Sequence, residues 1–174
     1  MSPSDRIRRA LRAIPDYPKP GILFQDITPV LNQGPLLREA VDAMAAPWRD
    51  QQLTHVVGIE ARGFILGAPV ATALGVGFIP LRKPGKLPWQ TREERYALEY
   101  GEDALHAHAD ACGAGDRVVV IDDVLATGGT AAAAGRLVRT LGAELLGWGF
   151  LLEIAALSGR AKLPGGQIRV VVSV

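Results

Sequence analysis

The run Arg117-Val-Val-Val-Ile121 limits the possible folds of this chain more than any other segment. Four consecutive β-branched apolar residues with no polar alternation belong to a strand buried in a sheet. Similar runs recur along the sequence, at His55 to Ile59, Gly77 to Leu81, Leu145 to Leu152 and Ile168 to Val174. Between them lie helical patterns. Leu36, Leu37, Ala40, Val41 and Met44 form a stripe that ends near Pro47, Gly63 to Leu74 closes at Gly75, and the alanine-rich Gly129 to Leu141 closes at Gly142. Strands alternating with helices imply an α/β domain built on a mostly parallel sheet flanked by helices.

The N-terminal segment reads differently. Ile7, Leu11 and Ile14 recur at helical spacing behind Asp5, so the segment with Arg6, Arg8, Arg9 and Arg12 is read as a short packed helix rather than as a transit peptide. The proline-rich stretch from Ile14 to Gly21 is expected to be a stiff loop leading into an extended piece at Ile22 to Phe24. At 174 residues the chain has room for one domain. Leu145 to Leu157, the longest apolar stretch, is interrupted by Glu153 and is shorter than the roughly 18 residues of a membrane helix. Cys112 is the one cysteine and forms no internal disulfide, which suits a reducing compartment, and a cytoplasmic location is expected.

The net charge of +1 excludes a protein that holds nucleic acid or a membrane by bulk charge. Any anion must be gripped locally. The sum hides an uneven distribution: Arg82, Lys83, Lys86, Arg92 and Arg95 against Glu93 and Glu94 give the stretch from Arg82 to Arg95 a charge of +3. Its prolines and glycine predict a mobile loop, assigned to 82–96, before short strands at Arg95 to Tyr100 and Ala104 to His108.

The segment from Val118 to Thr130 carries the chemistry. A buried strand ends in Asp122 and Asp123, and Ala126, Thr127, Gly128, Gly129 and Thr130 then open a helix. Ligands of open α/β sheets sit at the carboxyl ends of strands, and a helix N-terminus attracts phosphate. The glycines let backbone approach closely, the threonines add hydroxyl donors, and the paired carboxylates suit a ribose diol or a hydrated Mg²⁺. The ending of a P-loop is missing, and Gly113-Ala-Gly115 precedes the strand instead of following it, so neither the ATPase nor the dinucleotide fingerprint is met.

This run resembles the phosphoribosyl pyrophosphate (PRPP) signature of type I phosphoribosyltransferases. The segments from Asp16 to Phe24, Asp26 to Thr28, Gly58 to Phe64, Arg82 to Pro88 and Leu98 to Gly101 are similar to those of its adenine-using members. The resemblance implies a single domain over 1–174, with a small N-terminal hood and base-binding segment at 1–34 above the parallel sheet. It implies transfer of the 5-phosphoribosyl group of PRPP to adenine with Mg²⁺, giving AMP and pyrophosphate, by a homodimer that engages neither nucleic acid nor membrane.

By position, the resemblance assigns Ala126 to Thr130 to the 5′-phosphate, Asp122 and Asp123 to the ribose hydroxyls, and Glu60, Ala61 and Arg62 to pyrophosphate. Leu23 and Phe24 would hold adenine, with Gln25 beside it where the family commonly has a cation. Arg82, Lys83 and Lys86 would neutralise the leaving group, with Arg82 able to reach a neighbouring subunit, and Glu99 would manage a proton on the purine. No direct metal ligand is implied; Asp122 and Asp123 would meet Mg²⁺ through water. Enzymes for hypoxanthine or guanine and a non-catalytic PRPP-sensing regulator are the rival readings. His106 and His108 share a strand face near Cys112, a constellation weighed as a metal site against a partly exposed strand pair.

Overall fold

A computed structural model describes residues 1–98 and 101–174. In chain order its elements are α1 (Pro3–Ala10), β1 (Arg12–Pro15), β2 (Leu23–Asp26), α2 (Thr28–Leu31), α3 (Gly34–Ala45), β3 (His55–Ile59), α4 (Arg62–Leu74), β4 (Gly77–Leu81), β5 (Thr91–Ala97), β6 (Glu102–His108), β7 (Arg117–Leu125), α5 (Gly129–Thr140), β8 (Glu144–Glu153) and β9 (Gln167–Ser173). Strands β4, β3, β7, β8 and β9 form, in that order, a five-stranded sheet in which every neighbouring pair is parallel. The α/β architecture expected from the alternating runs is the one found.

Strand β7 shows why the sequence reads this way. Successive side chains leave a strand on opposite faces. Val118 and Val120 join one core with Leu137, Val138 and the alanines of α5, while Val119 and Ile121 join the other with residues of α1, α3 and α4. A strand with a core on each face has no use for polar alternation.

Strand order fixes where a ligand can enter. From β3 the chain passes through α4 to β4 on one side, whereas from β7 it passes through α5 to β8 on the other. Helices α4 and α5 pack into opposite cores. The carboxyl ends of β3 and β7 therefore flank a topological switch point, where the two following helices diverge and leave a crevice.

Three local expectations change. Helix α1 stops at Ala10, and Leu11 and Ile14 lie beyond it: Ile14 precedes Pro15, which disfavours helical backbone, and pairs with Phe24 across β1 and β2. The basic stretch assigned to a loop over 82–96 becomes strand from Thr91, pairing antiparallel with β6, because its outward charges find partners. Glu93 bonds His106 (2.8 Å) and Arg95 (2.6 Å), Glu94 meets Arg136 of α5 (2.5 Å), and Tyr96 turns inward. Finally, Asp122 and Asp123 do not end their strand, since β7 continues to Leu125 paired with β8 after β3 has stopped pairing at Ile121.

Candidate active site

The loop after β3 and the loop after β7 face each other across the switch point. Helix α4 begins at Arg62 and α5 at Gly129, and neither has a side-chain cap hydrogen bond among the described residues. The N–H groups of a first helical turn lack intrahelical acceptors and carry the positive end of the helix dipole. Two such ends in one crevice make a site for two anionic groups. Gly128 adopts a left-handed backbone (φ 81°), and a Cβ there would collide with the carbonyl oxygen of Gly159, so only glycine fits this turn.

The acid pair lies between the two helix ends. Asp123 is 4% exposed, and the backbone N–H of Asp123 donates to Asp122 Oδ1 (2.9 Å). That oxygen sits beneath the start of α4, where a Cβ on Gly63 would come within 2.7 Å of it. Burial, followed by the charge of Asp123, pushes the Asp122 carboxyl well above the usual carboxylate range, and Arg62 offsets this only in part. Arg62 Nε lies 2.5 Å from Asp123 Oδ2, yet that oxygen has no aligned hydrogen bond among the described residues. The Arg62 guanidinium also lies 5.8 Å from the centre of the Phe24 ring, within cation–π range.

The loop after β4 reaches the crevice through Lys83. Its ammonium donates to Tyr96 (2.8 Å) and to Asp103 on the neighbouring strand of the ribbon. Burial works against that charge, but the Asp103 carboxylate and Tyr96 hydroxyl hold its pKa above the ordinary lysine value. Lys83 in turn keeps the Asp103 carboxyl below the usual range. Glu60 accepts from the backbone N–H of Lys83 (2.9 Å), the main cause of its lowered pKa, and from Arg82 Nε (3.3 Å). The Glu60 side chain thus holds the base of the next loop.

These parts enclose a cleft of about 640 Å³. Leu23, Phe24, Gln25, Glu60, Ala61, Arg62, Lys83, Asp122, Asp123 and Ala126 to Thr130 all line it. Arg82 and Lys86 do not; Arg82 is turned to Glu60 and donates to the Lys86 carbonyl (3.1 Å). Glu99 lies outside the described residues. Ile154 and Leu157, just past β8, line the cleft as well and were not foreseen; an exposed leucine after a strand carries no signal of its own. Among the described residues no group of three or more His, Cys, Asp or Glu is placed to hold a metal, and His106 is engaged by Glu93.

A crevice with two helix N-termini, an acid pair whose Asp123 is buried, and an aromatic ring in its wall defines a class of enzyme that handles a phosphorylated sugar. The family model for the phosphoribosyl transferase domain matches residues 30–163, and the chain belongs to that family. It is 57% identical to the adenine phosphoribosyltransferase of Anaeromyxobacter dehalogenans (strain 2CP-C) over 94% of this chain and 95% of that one. The crystal structure of adenine phosphoribosyltransferase from Rhodothermus marinus superposes with a TM-score of 0.93 at 50% identity, covering 99% of this chain and 98% of that one. The enzyme of Saccharomyces cerevisiae, complexed with an imino-altritol bisphosphate and adenine, gives a TM-score of 0.92 at 38% identity, covering 97% and 98%. Within the phosphoribosyltransferases, this chain is one of the adenine phosphoribosyltransferases.

Proposed function

We propose that this protein transfers the 5-phosphoribosyl group of PRPP to adenine, releasing pyrophosphate and forming AMP for purine salvage. The observation that carries the reading is the convergence of both uncapped helix ends and the Asp122–Asp123 acid pair on one cleft that Phe24 also lines. Ala126 to Thr130 cradle the 5′-phosphate, Asp122 and Asp123 receive the ribose hydroxyls, and Glu60, Ala61 and Arg62 form the pyrophosphate loop. Leu23 and Phe24 hold the base, with the Gln25 amide beside it and Leu157 lining the same cleft.

The reaction breaks the bond from ribose C1′ to a pyrophosphate oxygen, which leaves with the electron pair, and forms a bond from C1′ to a purine ring nitrogen that gives up its proton. Charge develops on the leaving group and on an oxocarbenium-like ribose, so fixed cations and excluded water lower the barrier. Arg62 and Lys83 are the cations lining the cleft among the described residues. Glu99 takes the purine proton. Asp123 Oδ2 has Arg62 beside it but no aligned hydrogen bond, and with the Asp122 carboxyl it suits hydroxyl donors or the water shell of a cation, so these two residues would hold substrate-borne Mg²⁺ through water. When bound, Mg²⁺ supplies charge neutralisation on the diphosphate.

A homodimer is part of the same proposal. Arg82 does not line its own cleft, and as a donor to a neighbouring subunit it would complete a second one. No helix among the described residues is long and apolar enough to cross a membrane, which is compatible with action in the cytoplasm. The test is AMP and pyrophosphate formation on mixing the protein with PRPP, Mg²⁺ and, in turn, adenine, hypoxanthine and guanine. Turnover with adenine is expected. Preference for another base would replace the substrate, and no turnover with any base would replace the enzyme by a regulator.

A further inference from the structure

The turn from Ala126 to Gly128 is braced by the segment that follows β8, through residues that do not line the cleft. Gly159 lies backbone to backbone against it. A Cβ at Gly159 would collide with the Ala126 carbonyl oxygen and lie 3.1 Å from the Gly128 nitrogen, just as a Cβ at Gly128 would collide with the Gly159 carbonyl. Glycine on both sides is the condition for this approach.

Gly159 is held by its neighbour. Arg160 donates from Nε (2.6 Å) and from Nη2 (2.8 Å) to the two carboxylate oxygens of Glu153, a forked pair that fixes direction as well as distance. Glu153 is 6% exposed and is the last residue of β8, in register with Leu125 of β7. The Ile154 N–H also donates to the Leu125 carbonyl (3.0 Å). Leu125 immediately precedes the turn. Farther along, Leu163 anchors the segment in the core beside α5. The chain thus makes a closed circuit from β7 across the sheet to Glu153, through Arg160 to Gly159, and back onto the turn that follows β7.

We infer that Glu153 and Arg160 are positioning residues for the 5′-phosphate: their ion pair presses Gly159 onto the Ala126–Gly128 turn and holds its N–H groups in the geometry a phosphate requires. The inference rests on the assignment of Ala126 to Thr130 to that phosphate. The pair touches no substrate. Arg160 is about half exposed, so its side chain contributes little to the core, and the forked contact to a buried carboxylate is what it adds.

Ribose 5-phosphate and pyrophosphate separate this role from a structural one, because only the first carries the 5′-phosphate. Isothermal titration of each ligand into the wild type, Arg160→Lys and the double variant Glu153→Met/Arg160→Met is the experiment. The double variant replaces the ion pair by apolar side chains, so that no buried Glu153 carboxylate is left without its partner. The expected result is ribose 5-phosphate affinity lowered about tenfold or more in both variants, the scale of a misplaced binding group, with pyrophosphate affinity within about twofold of wild type. The KM for PRPP rises while the KM for adenine stays. Equal losses for both ligands, or no loss for either, overturn the inference. Failure of the folded wild type to bind ribose 5-phosphate overturns the cradle assignment itself, a separate outcome.

Discussion

Arg62 Nε and Asp123 Oδ2 lie 2.5 Å apart, joining the first residue of α4 to the buried acid of β7 across the switch point. Each partner is the other's counter-charge. The half-exposed arginine compensates a carboxylate that is almost out of water, and it lines the cleft in which the proposed diphosphate would bind. Replacing Arg62 by alanine removes the forked donor proposed for pyrophosphate and leaves Asp123 without its counter-charge. The KM for PRPP is expected to rise about tenfold or more, the usual scale for a lost hydrogen bond to a charged group, with little change in the KM for adenine. Steady-state kinetics with each substrate varied in turn checks this, and equal effects on both would remove Arg62 from the pyrophosphate loop.

Asp122 gives a stability prediction with a definite sign. Its folded-state pKa is raised by burial and by Asp123, so the folded protein binds a proton more tightly than the unfolded chain does. Stability from this group is full below the unfolded value near 3.8 and is lost as pH rises through the raised folded value. Asp122→Asn keeps an oxygen for the Asp123 N–H but carries no charge. It should be more stable than wild type at pH 7.5, with the difference shrinking toward pH 4.5, while kcat/KM for PRPP falls. Denaturant unfolding at the two pH values measures the first effect, and a difference that grows toward acid would contradict it.

Glu99 stands in the segment from Leu98 to Gly101 that carried the resemblance. In the proposed mechanism it manages the purine proton, a role exercised in the transition state more than in binding. Glu99→Gln should lower kcat by about 10² or more, the ordinary scale for loss of a general acid or base, with both KM values nearly unchanged. A near wild-type kcat would take this role away.

What could be read from the sequence was local, and what could not was tertiary. Ile121, Asp122 and the Gly128-Gly129 pair announce strand, acid pair and helix start within a few positions, because each signal is a property of neighbouring residues. The same locality misled at Leu11 and Ile14, where helical spacing continued into a strand, and at Thr91 to Ala97, where charges typical of a loop are satisfied by His106 and Arg136. Asp103 as a partner of Lys83, and Gly159 as a partner of Gly128, lie 20 and 31 positions away. Only the ribbon and the sheet bring them together.

The Lys83–Asp103 pair allows a test of how the basic loop is held. Lys83 is the loop's side chain in the cleft, and Asp103 and Tyr96 hold its ammonium from the ribbon. If Asp103 matters only through Lys83, the two substitutions cannot be additive. Lys83→Met should lower kcat/KM for PRPP about 10²-fold, as expected for loss of a cation that stabilises developing charge, and Asp103→Asn should cost less. In the Lys83→Met background, Asp103→Asn should then change kcat/KM by less than about twofold, because no ammonium is left to hold. The pH range follows from both partners: the Asp103 carboxyl lies below its ordinary 3.8 and the Lys83 ammonium above its ordinary 10.5. The tie is therefore intact between those values, lost as pH falls through the lowered carboxyl value and lost again as pH rises through the raised ammonium value. A double-mutant cycle at pH 7.5 that gave independent, multiplicative effects would separate Asp103 from Lys83 and leave it a residue of the ribbon alone.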